Sequence, residues 1–278
     1  MKCGLYLVAT PIGNMQDISL RALEILQAAD IIACEDTRVT GKLLSRHAID
    51  TKMTPYHEHN AAHARPGLID RIRNGEAVAL VTDAGTPSVS DPGHKLVRDC
   101  IKADLTVTAI PGANAALTGL ILSGLPSDRF LFAGFLANKS TKRRKELAAL
   151  AAVPATLIFH ESNNRLAASL TDMTEILGDR PAAVTRELTK LYEEIRRGSL
   201  SELAAFYVEN GPPKGEIVIV TGPPEEQAAL TEEELDALIL AKLDQLSVRD
   251  AVAEITAATG LPKRKIYARA VALSHHES

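Results

Sequence analysis

Cysteine is scarce: Cys3, Cys34 and Cys100 are the only three in 278 residues, far apart and without a C-x-x-C pair. An odd, scattered set supports neither a disulfide framework nor a thiolate zinc site, and it suits a reducing cytoplasm. No apolar run approaches the roughly 20 residues needed to span a bilayer. The first residues carry one lysine and then a strand-like run, not a secretory signal pattern. No membrane partner is expected. Basic charge is not in excess: 31 Lys and Arg face 35 Asp and Glu, for a net charge of −4. Any polyanion would have to be met by a local basic patch.

Several signatures are also missing. No G-x-G-x-x-G follows the first strand, and there is no G-x-x-x-x-G-K-[ST], so the common dinucleotide and P-loop fingerprints are absent. H-E-x-x-H is absent; His57 and His59 straddle a strand-to-helix junction with His63 beyond, no cysteine is near, and no metal is expected. The serine-hydrolase elbow G-x-S-x-G does not occur. Internal repeats and low-complexity tracts are lacking too.

What remains is the balance of a globular chain, 46% hydrophobic and 24% charged, long enough for about two domains. Residues 78–82 form a short β-branched apolar run that reads as a buried parallel strand. The loop after it, Asp83-Ala84-Gly85-Thr86-Pro87 and on to Gly93, is small, polar and rigid, with Asp91 and Pro92 suited to open a helix. Strand-like runs at 4–9, 31–34, 52–55 and 105–110 alternate with helical spacing at 20–29, 61–74, 96–101 and 115–122. Asp17 or Ser19 can cap the first helix. Alternation of this kind gives an α/β class with a largely parallel sheet. Three strands end in Gly- and Pro-containing loops: TPIGN (10–14), DAGTP (83–87) and PGAN (111–114). Ligands of open α/β sheets bind beyond the carboxyl ends of the strands. The three loops therefore predict one small-molecule cleft, although each also fits an ordinary strand-to-helix turn.

The Ser123–Asp128 turn region marks a boundary. Beyond it, Lys139, Lys142, Arg143, Arg144 and Lys145 precede a single acid, Glu146. This is either the solvated start of a helix or an arm that contacts phosphates. Strands at 155–160, 182–185 and 216–221, with a helix between the first two, make a second mixed domain. After Gly222-Pro223-Pro224 the chain is helical. Ser247 to Asp250 has capping-box form, Val248, Ala251, Val252 and Ile255 form an apolar stripe, and Gly260 separates it from a helix opening at Pro262-Lys263-Arg264-Lys265. The pair has the look of a helix-turn-helix or of a helical cap. The expected domains are 1–123, 127–222 and 230–278. Polar groups at strand ends, namely Glu35, Asp36, Arg38, Asp83, Arg186, Glu187 and Lys190, face either a cleft or an inter-domain ion-pair network.

LYLVATPIGNMQDIS, ACEDTR, YHEHN, LVTDAGTPSVSDPG, IPGANAAL, LPSDRFLFAGFL, RELTKLYEE and KGEIVIV occur in this order. Together they resemble the ribosomal RNA small subunit methyltransferase I family of the tetrapyrrole methylase superfamily, over essentially the whole chain. Ala61, Ala113 and Asn164 depart from the family's pattern. The resemblance implies two α/β domains with S-adenosylmethionine held in the cleft between them, and a small C-terminal helical extension. It implies donor contacts at Pro11, Ile12, Asp83, Ala84, Gly85, Thr86, Pro87, Gly112, Ala113, Asn114, Phe159 and Gly215. It also implies methyl transfer to the ribose 2′-hydroxyl of a cytidine in 16S rRNA, a substrate presented free or in the small ribosomal subunit, and a homodimer in the cytoplasm. Catalytic candidates are Glu187, Asp36, Glu35 and Lys190. Candidates for RNA contact are Arg38, Lys139, Lys142, Arg143, Arg144, Lys145 and Arg186. Two other readings stay open: a methyltransferase for a tetrapyrrole or another small molecule, and a non-catalytic RNA-binding or ribosome assembly factor.

Overall fold

Five short apolar runs build the first sheet: β1 (Gly4–Val8), β2 (Ile31–Cys34), β3 (Met53–Pro55), β4 (Ala77–Val81) and β5 (Val107–Ile110). The computed structural model describes residues 1–89, 93–225, 231–259 and 261–274. All pairings in this sheet are parallel, in the order β3-β2-β4-β1-β5. A parallel sheet is covered on both faces, which explains why β4 is apolar without alternation and buried at every position. Helix α1 (Leu20–Ala28) packs Leu26 on one face. Helices α3 (Ala61–Arg73) and α4 (His94–Lys102) pack Leu68, Ile72 and Leu96 on the other, while α2 (Thr37–Arg46) follows β2. Ser19 caps α1, accepting from the Ala22 N–H at 3.1 Å; Asp17 lies instead in a preceding 3₁₀ turn. The expected cap at Asp91-Pro92 falls outside the described residues, and α4 is described from Gly93 onward.

The second sheet is mixed: β6 (Phe130–Phe135), β7 (Thr156–Glu161), β8 (Pro181–Arg186), β9 (Glu194–Ser199) and β10 (Ile217–Thr221), in the order β6-β7-β10-β8-β9. Only β6 and β7 pair parallel. Side chains alternate across it. Leu157 and Phe159 enter a core with α6 (Ser140–Leu150), α7 (Leu166–Leu177) and α8 (Leu200–Asn210). Ile158, one residue out of step, faces the opposite way.

That opposite face is covered by α5 (Ala115–Ser123), a helix of the first half of the chain. Ala116 and Leu120 of α5 share a core with Ile12, Ile158, Leu188, Val218 and Val220. The expected divisions at 1–123 and 127–222 thus correspond to two sheets, yet residues Met1–Pro224 form one compact unit. The reason is physical: α5 is small and apolar, and its buried side serves the sheet that follows it.

Residues Glu225–Ser278 form a separate unit. It holds α9 (Glu232–Leu243), α10 (Val248–Thr259) and α11 (Lys263–Ser274) around Leu235, Ile239, Val252, Ile255 and Ile266. Thr231 and Glu234 form a capping box at α9, and Ser247 Oγ accepts from the Asp250 N–H at 3.3 Å. Gly260 lies outside the described residues. Among the described residues no helix is long and apolar enough to cross a membrane.

Leu120 is 2% exposed in the shared core. Leu120→Ala is expected to cost about 2–5 kcal/mol. Native-state hydrogen exchange should show β4 and β10 losing protection together; protection lost in only one sheet would contradict a shared core.

Candidate active site

The carboxyl ends of β1, β4 and β5 are stitched together. Thr10 N–H donates to the Gly85 carbonyl at 2.9 Å, and Gly85 N–H donates back to the Thr10 carbonyl at 3.1 Å. Thr10 Oγ1 donates to the Thr82 carbonyl at 3.1 Å. Thr86 Oγ1 donates to the Ala113 carbonyl at 3.2 Å, which ties in the loop after β5. Gly85 has φ +84°, and a Cβ there would sit 3.3 Å from Ile12 Cγ2. Only glycine holds that conformation and that approach without strain. Asn114 caps α5, its Oδ1 accepting from the Leu117 N–H at 3.1 Å.

A cavity of about 550 Å³ opens beside these loops, a size typical of small-molecule sites. Ile12, Ala84, Gly85, Thr86 and Asn114 line one side. The other side is the second sheet: Phe135 at the end of β6, then His160 and Glu161 of β7, and Gly215 to Val218 at the start of β10. Leu188 closes the apolar part of the wall, with Ile217. Of the twelve residues implied as donor contacts, six line this cavity: Ile12, Ala84, Gly85, Thr86, Asn114 and Gly215. Pro11, Asp83, Pro87, Gly112 and Ala113 belong to the same loops without lining it. Phe159 needs correction. Its side chain is fully buried in the helical-side core, and strand alternation puts His160 on the cavity side instead.

A turn from the second sheet clasps the loop after β1. Asn14 N–H donates to Thr189 Oγ1 at 3.0 Å. A Cβ on Gly13 would collide with Lys190 Cγ and lie 2.8 Å from Thr189 Oγ1. The turn is strained: Glu187 has φ 51° and Thr189 φ 64°. Positive φ is unfavourable for such residues, above all for β-branched Thr. Charge holds the turn in place. Lys190 Nζ bridges Glu187 Oε1 at 2.8 Å and Glu216 Oε2 at 3.1 Å, and Glu216 N–H donates to Glu187 Oε1 at 3.0 Å. These bonds hold the Glu187 carboxyl below, and the Lys190 ammonium above, their ordinary pKa values, although burial opposes both.

The four catalytic candidates are therefore placed elsewhere than the cavity wall. Glu187 and Lys190 form the clasp. Asp36 caps α2 and grips Arg38 through both carboxylate oxygens. Its pKa is held at about 2 by those hydrogen bonds, which makes it a weak proton acceptor. Glu35 Oε2 accepts from Thr82 Oγ1 at 3.0 Å. Asp83 accepts from the Asp36 N–H at 3.0 Å, and burial raises its pKa.

The basic arm also needs correction. Arg143 is 4% exposed and points inward, its guanidinium 2.6 Å from Asp172 on α7. Arg144 pairs with Asp172 and Glu175. Buried in this way, the Arg143 guanidinium joins α6 to α7 and is turned away from solvent, whereas the Arg144 side chain, ion-paired as it is, stays 38% exposed. Lys139, Lys142 and Lys145 remain exposed. Arg186 is engaged by Glu194 at 2.9 Å and by the Lys214 carbonyl. Arg38 projects with its side chain 87% exposed. Residues missed in the sequence include Phe135, His160, Glu161, Leu188 and Glu216; the one signal for them was the polar pair His160-Glu161 ending an apolar strand.

The fold and this loop-built cavity define a two-sheet protein of the tetrapyrrole methylase type. Residues 4–204 match the family model for Tetrapyrrole (Corrin/Porphyrin) Methylases, and residues 229–274 match the RsmI C-terminal HTH domain. A diphthine synthase structure aligns with a TM-score of 0.60 at 16% identity, covering 78% of this chain and 89% of its own. A uroporphyrin-III C-methyltransferase from Thermus thermophilus, complexed with S-adenyl homocysteine, aligns with a TM-score of 0.55 at 20% identity, covering 78% and 96%. The ribosomal RNA small subunit methyltransferase I of Mesorhizobium japonicum is 53% identical over 97% of this chain and 92% of its own length. That of Escherichia coli O157:H7 is 44% identical over 95% and 93%. The chain belongs to the ribosomal RNA small subunit methyltransferase I family, within the tetrapyrrole methylases.

Thr189→Ala removes the clasp's acceptor for Asn14 while leaving the charge network. A hydrogen bond is worth about 0.5–1.5 kcal/mol net. S-adenosylhomocysteine should bind about two- to tenfold more weakly by calorimetry, with Thr189→Ser restoring it. Unchanged binding in Thr189→Ala would show that the clasp does not shape the cavity.

Proposed function

We propose that this protein transfers a methyl group from S-adenosylmethionine to the ribose 2′-hydroxyl of a cytidine in 16S rRNA. The observation that carries the reading is the 53% identity, over nearly the full length, to a small subunit rRNA methyltransferase, joined to a cavity at the sheet edge. The cavity's chemistry fits the donor. It has an apolar wall of Ile12, Leu188 and Val218, a glycine cradle at Gly85, and polar Thr86 and Asn114 beside it.

On this reading the donor supplies a methyl group already activated by its sulfonium. The loops after β1, β4 and β5 hold it, with Pro11, Asp83, Pro87, Gly112 and Ala113 shaping the loop backbones behind the lining residues. The protein's main contribution is then orientation of two reactants in one dry site. Leu188 and Ile12 exclude water from the wall where the two sheets meet. Arg38 and the exposed Lys139, Lys142 and Lys145 supply phosphate contacts for the RNA, which is met free or in the small subunit. The protein works in the cytoplasm as a homodimer. Leu117 and Ile121, 47% and 72% exposed on α5, offer apolar surface of the kind a second copy covers.

Mass mapping of 16S rRNA from cells lacking this protein should show the loss of one ribose methyl on a cytidine. An unaltered methylation map would reject the reading. For the RNA contacts, the triple change Lys139→Ala, Lys142→Ala and Lys145→Ala should flatten the salt dependence of RNA binding. The log–log slope should fall by about 0.7–0.9 for each phosphate that is no longer neutralised. An unaltered slope would remove these lysines from the interface.

A further inference from the structure

Methylation of a hydroxyl requires a proton acceptor, and among the described residues the titratable side chains lining the cavity are three: His160, Glu161 and Glu216. Two are already committed. Glu161 is 3% exposed and is neutralised by Arg165, while Ser169 Oγ donates to its second oxygen at 2.5 Å and the Ser162 N–H to its first at 2.7 Å. Glu216 is ion-paired to Lys190. His160 differs from both. Among the described residues neither of its ring nitrogens has a hydrogen-bond partner. The ring is held by carbon surfaces alone: edge-on to Phe132 at 5.1 Å between centroids, and stacked on Phe135 at 5.3 Å and 28°. Those contacts fix the plane of the imidazole and leave its nitrogens unclaimed at the cavity wall.

We propose that His160 accepts the proton of the acceptor hydroxyl. This rests on the methyltransferase reading above and names the group that reading lacked. The hydroxyl O–H bond breaks and its proton passes to an imidazole nitrogen. The oxygen's electron pair forms the new bond to the methyl carbon. The carbon–sulfur bond breaks with its pair going to sulfur, which cancels the positive charge there. The products are a ribose methyl ether and S-adenosylhomocysteine, and the imidazolium later returns its proton to water.

The electrostatics agree. Burial lowers the His160 pKa below its ordinary value of about 6.5, so the ring is neutral and able to accept at pH 7. The charges facing it are few. Glu216, before β10, pulls the pKa upward, and Lys190 compensates that carboxylate. Glu161, on its own strand, is compensated by Arg165. From β6 the uncharged Phe132 and Phe135 rings meet it, and from β10 its register partner is Val218.

The test uses full-length protein, saturating S-adenosylmethionine and small ribosomal subunits from cells lacking the enzyme. His160→Ala should slow single-turnover methyl transfer by about 10²–10⁴-fold, while calorimetry finds S-adenosylhomocysteine binding within about threefold of wild type, a span of only ~0.7 kcal/mol. Added imidazole should restore part of the lost rate in proportion to its free-base concentration. His160→Gln keeps bulk and polarity but takes up no proton, so it should be equally slow; it also serves if the alanine variant does not fold. In the wild type, the NMR titration of the His160 ring, assigned by its absence in His160→Gln, should coincide with the acid limb of the rate profile, below pH 6.5. Three results would overturn the proposal: variants within threefold of the wild-type rate, a rate loss that tracks lost S-adenosylhomocysteine binding, or a folded alanine variant that imidazole does not rescue. A wild type that methylates the subunit beside insensitive variants defeats this inference alone; a wild type silent on both the subunit and free 16S rRNA defeats the rRNA reading and this inference with it.

Discussion

Two backbone hydrogen bonds between Thr10 and Gly85 carry much of the architecture. They join the loops that leave two adjacent parallel strands, at the edge where such sheets bind ligands. Because the bonds are reciprocal, neither loop can move without losing both. The requirement for glycine at position 85 follows from the pairing: a backbone at φ +84° brings the carbonyl and the N–H into register with Thr10 and leaves room for Ile12. Thr86 extends the join to the loop after β5. Three turns, separated by about a hundred residues of chain, then behave as one wall.

The second sheet completes the cavity from the other side, and the joining elements are of two kinds. One is apolar: α5 lays Ala116 and Leu120 against Ile158, Val218 and Val220. The other is polar and strained. Glu187 and Thr189 sit at positive φ, a conformation whose cost is of order 1–3 kcal/mol per residue. Lys190, bridging two carboxylates, and the Thr189 hydroxyl, bonded to Asn14, hold the turn there. Strained turns of this kind persist where the surroundings over-determine them, and here the surroundings are the cavity's own wall. Glu187 and Lys190, two charged groups at a strand end, thus fasten the turn through their mutual ion pair.

Much of the fold was legible because parallel strands are buried on both faces and read as unbroken apolar runs. β1, β2 and β4 are of this type, and the central antiparallel strand β10, likewise buried at every position, reads the same way. β9, Glu-Ile-Arg-Arg-Gly-Ser, was not foreseen: it is an edge strand with a charged sequence, recognisable only through its pairing with β8. Loop clustering was visible from the repeated Gly and Pro at strand ends. The facing of individual side chains was not. Phe159 and His160 differ by one residue, and strand alternation sends one to a core and the other to the cavity. Arg143 and Lys142 share a basic run, yet helix geometry turns the first into Asp172 and the second to solvent. Composition cannot distinguish neighbours that point in opposite directions.

Everything here depends on whether the stitched loops hold the donor. Calorimetric titration of S-adenosylhomocysteine into the wild-type protein and into Gly85→Val measures this most directly. One site per chain is predicted in the wild type and at least a tenfold loss of affinity in the variant (about 1.4 kcal/mol), with the fold retained by circular dichroism. Equal affinity in the two folded proteins would contradict it.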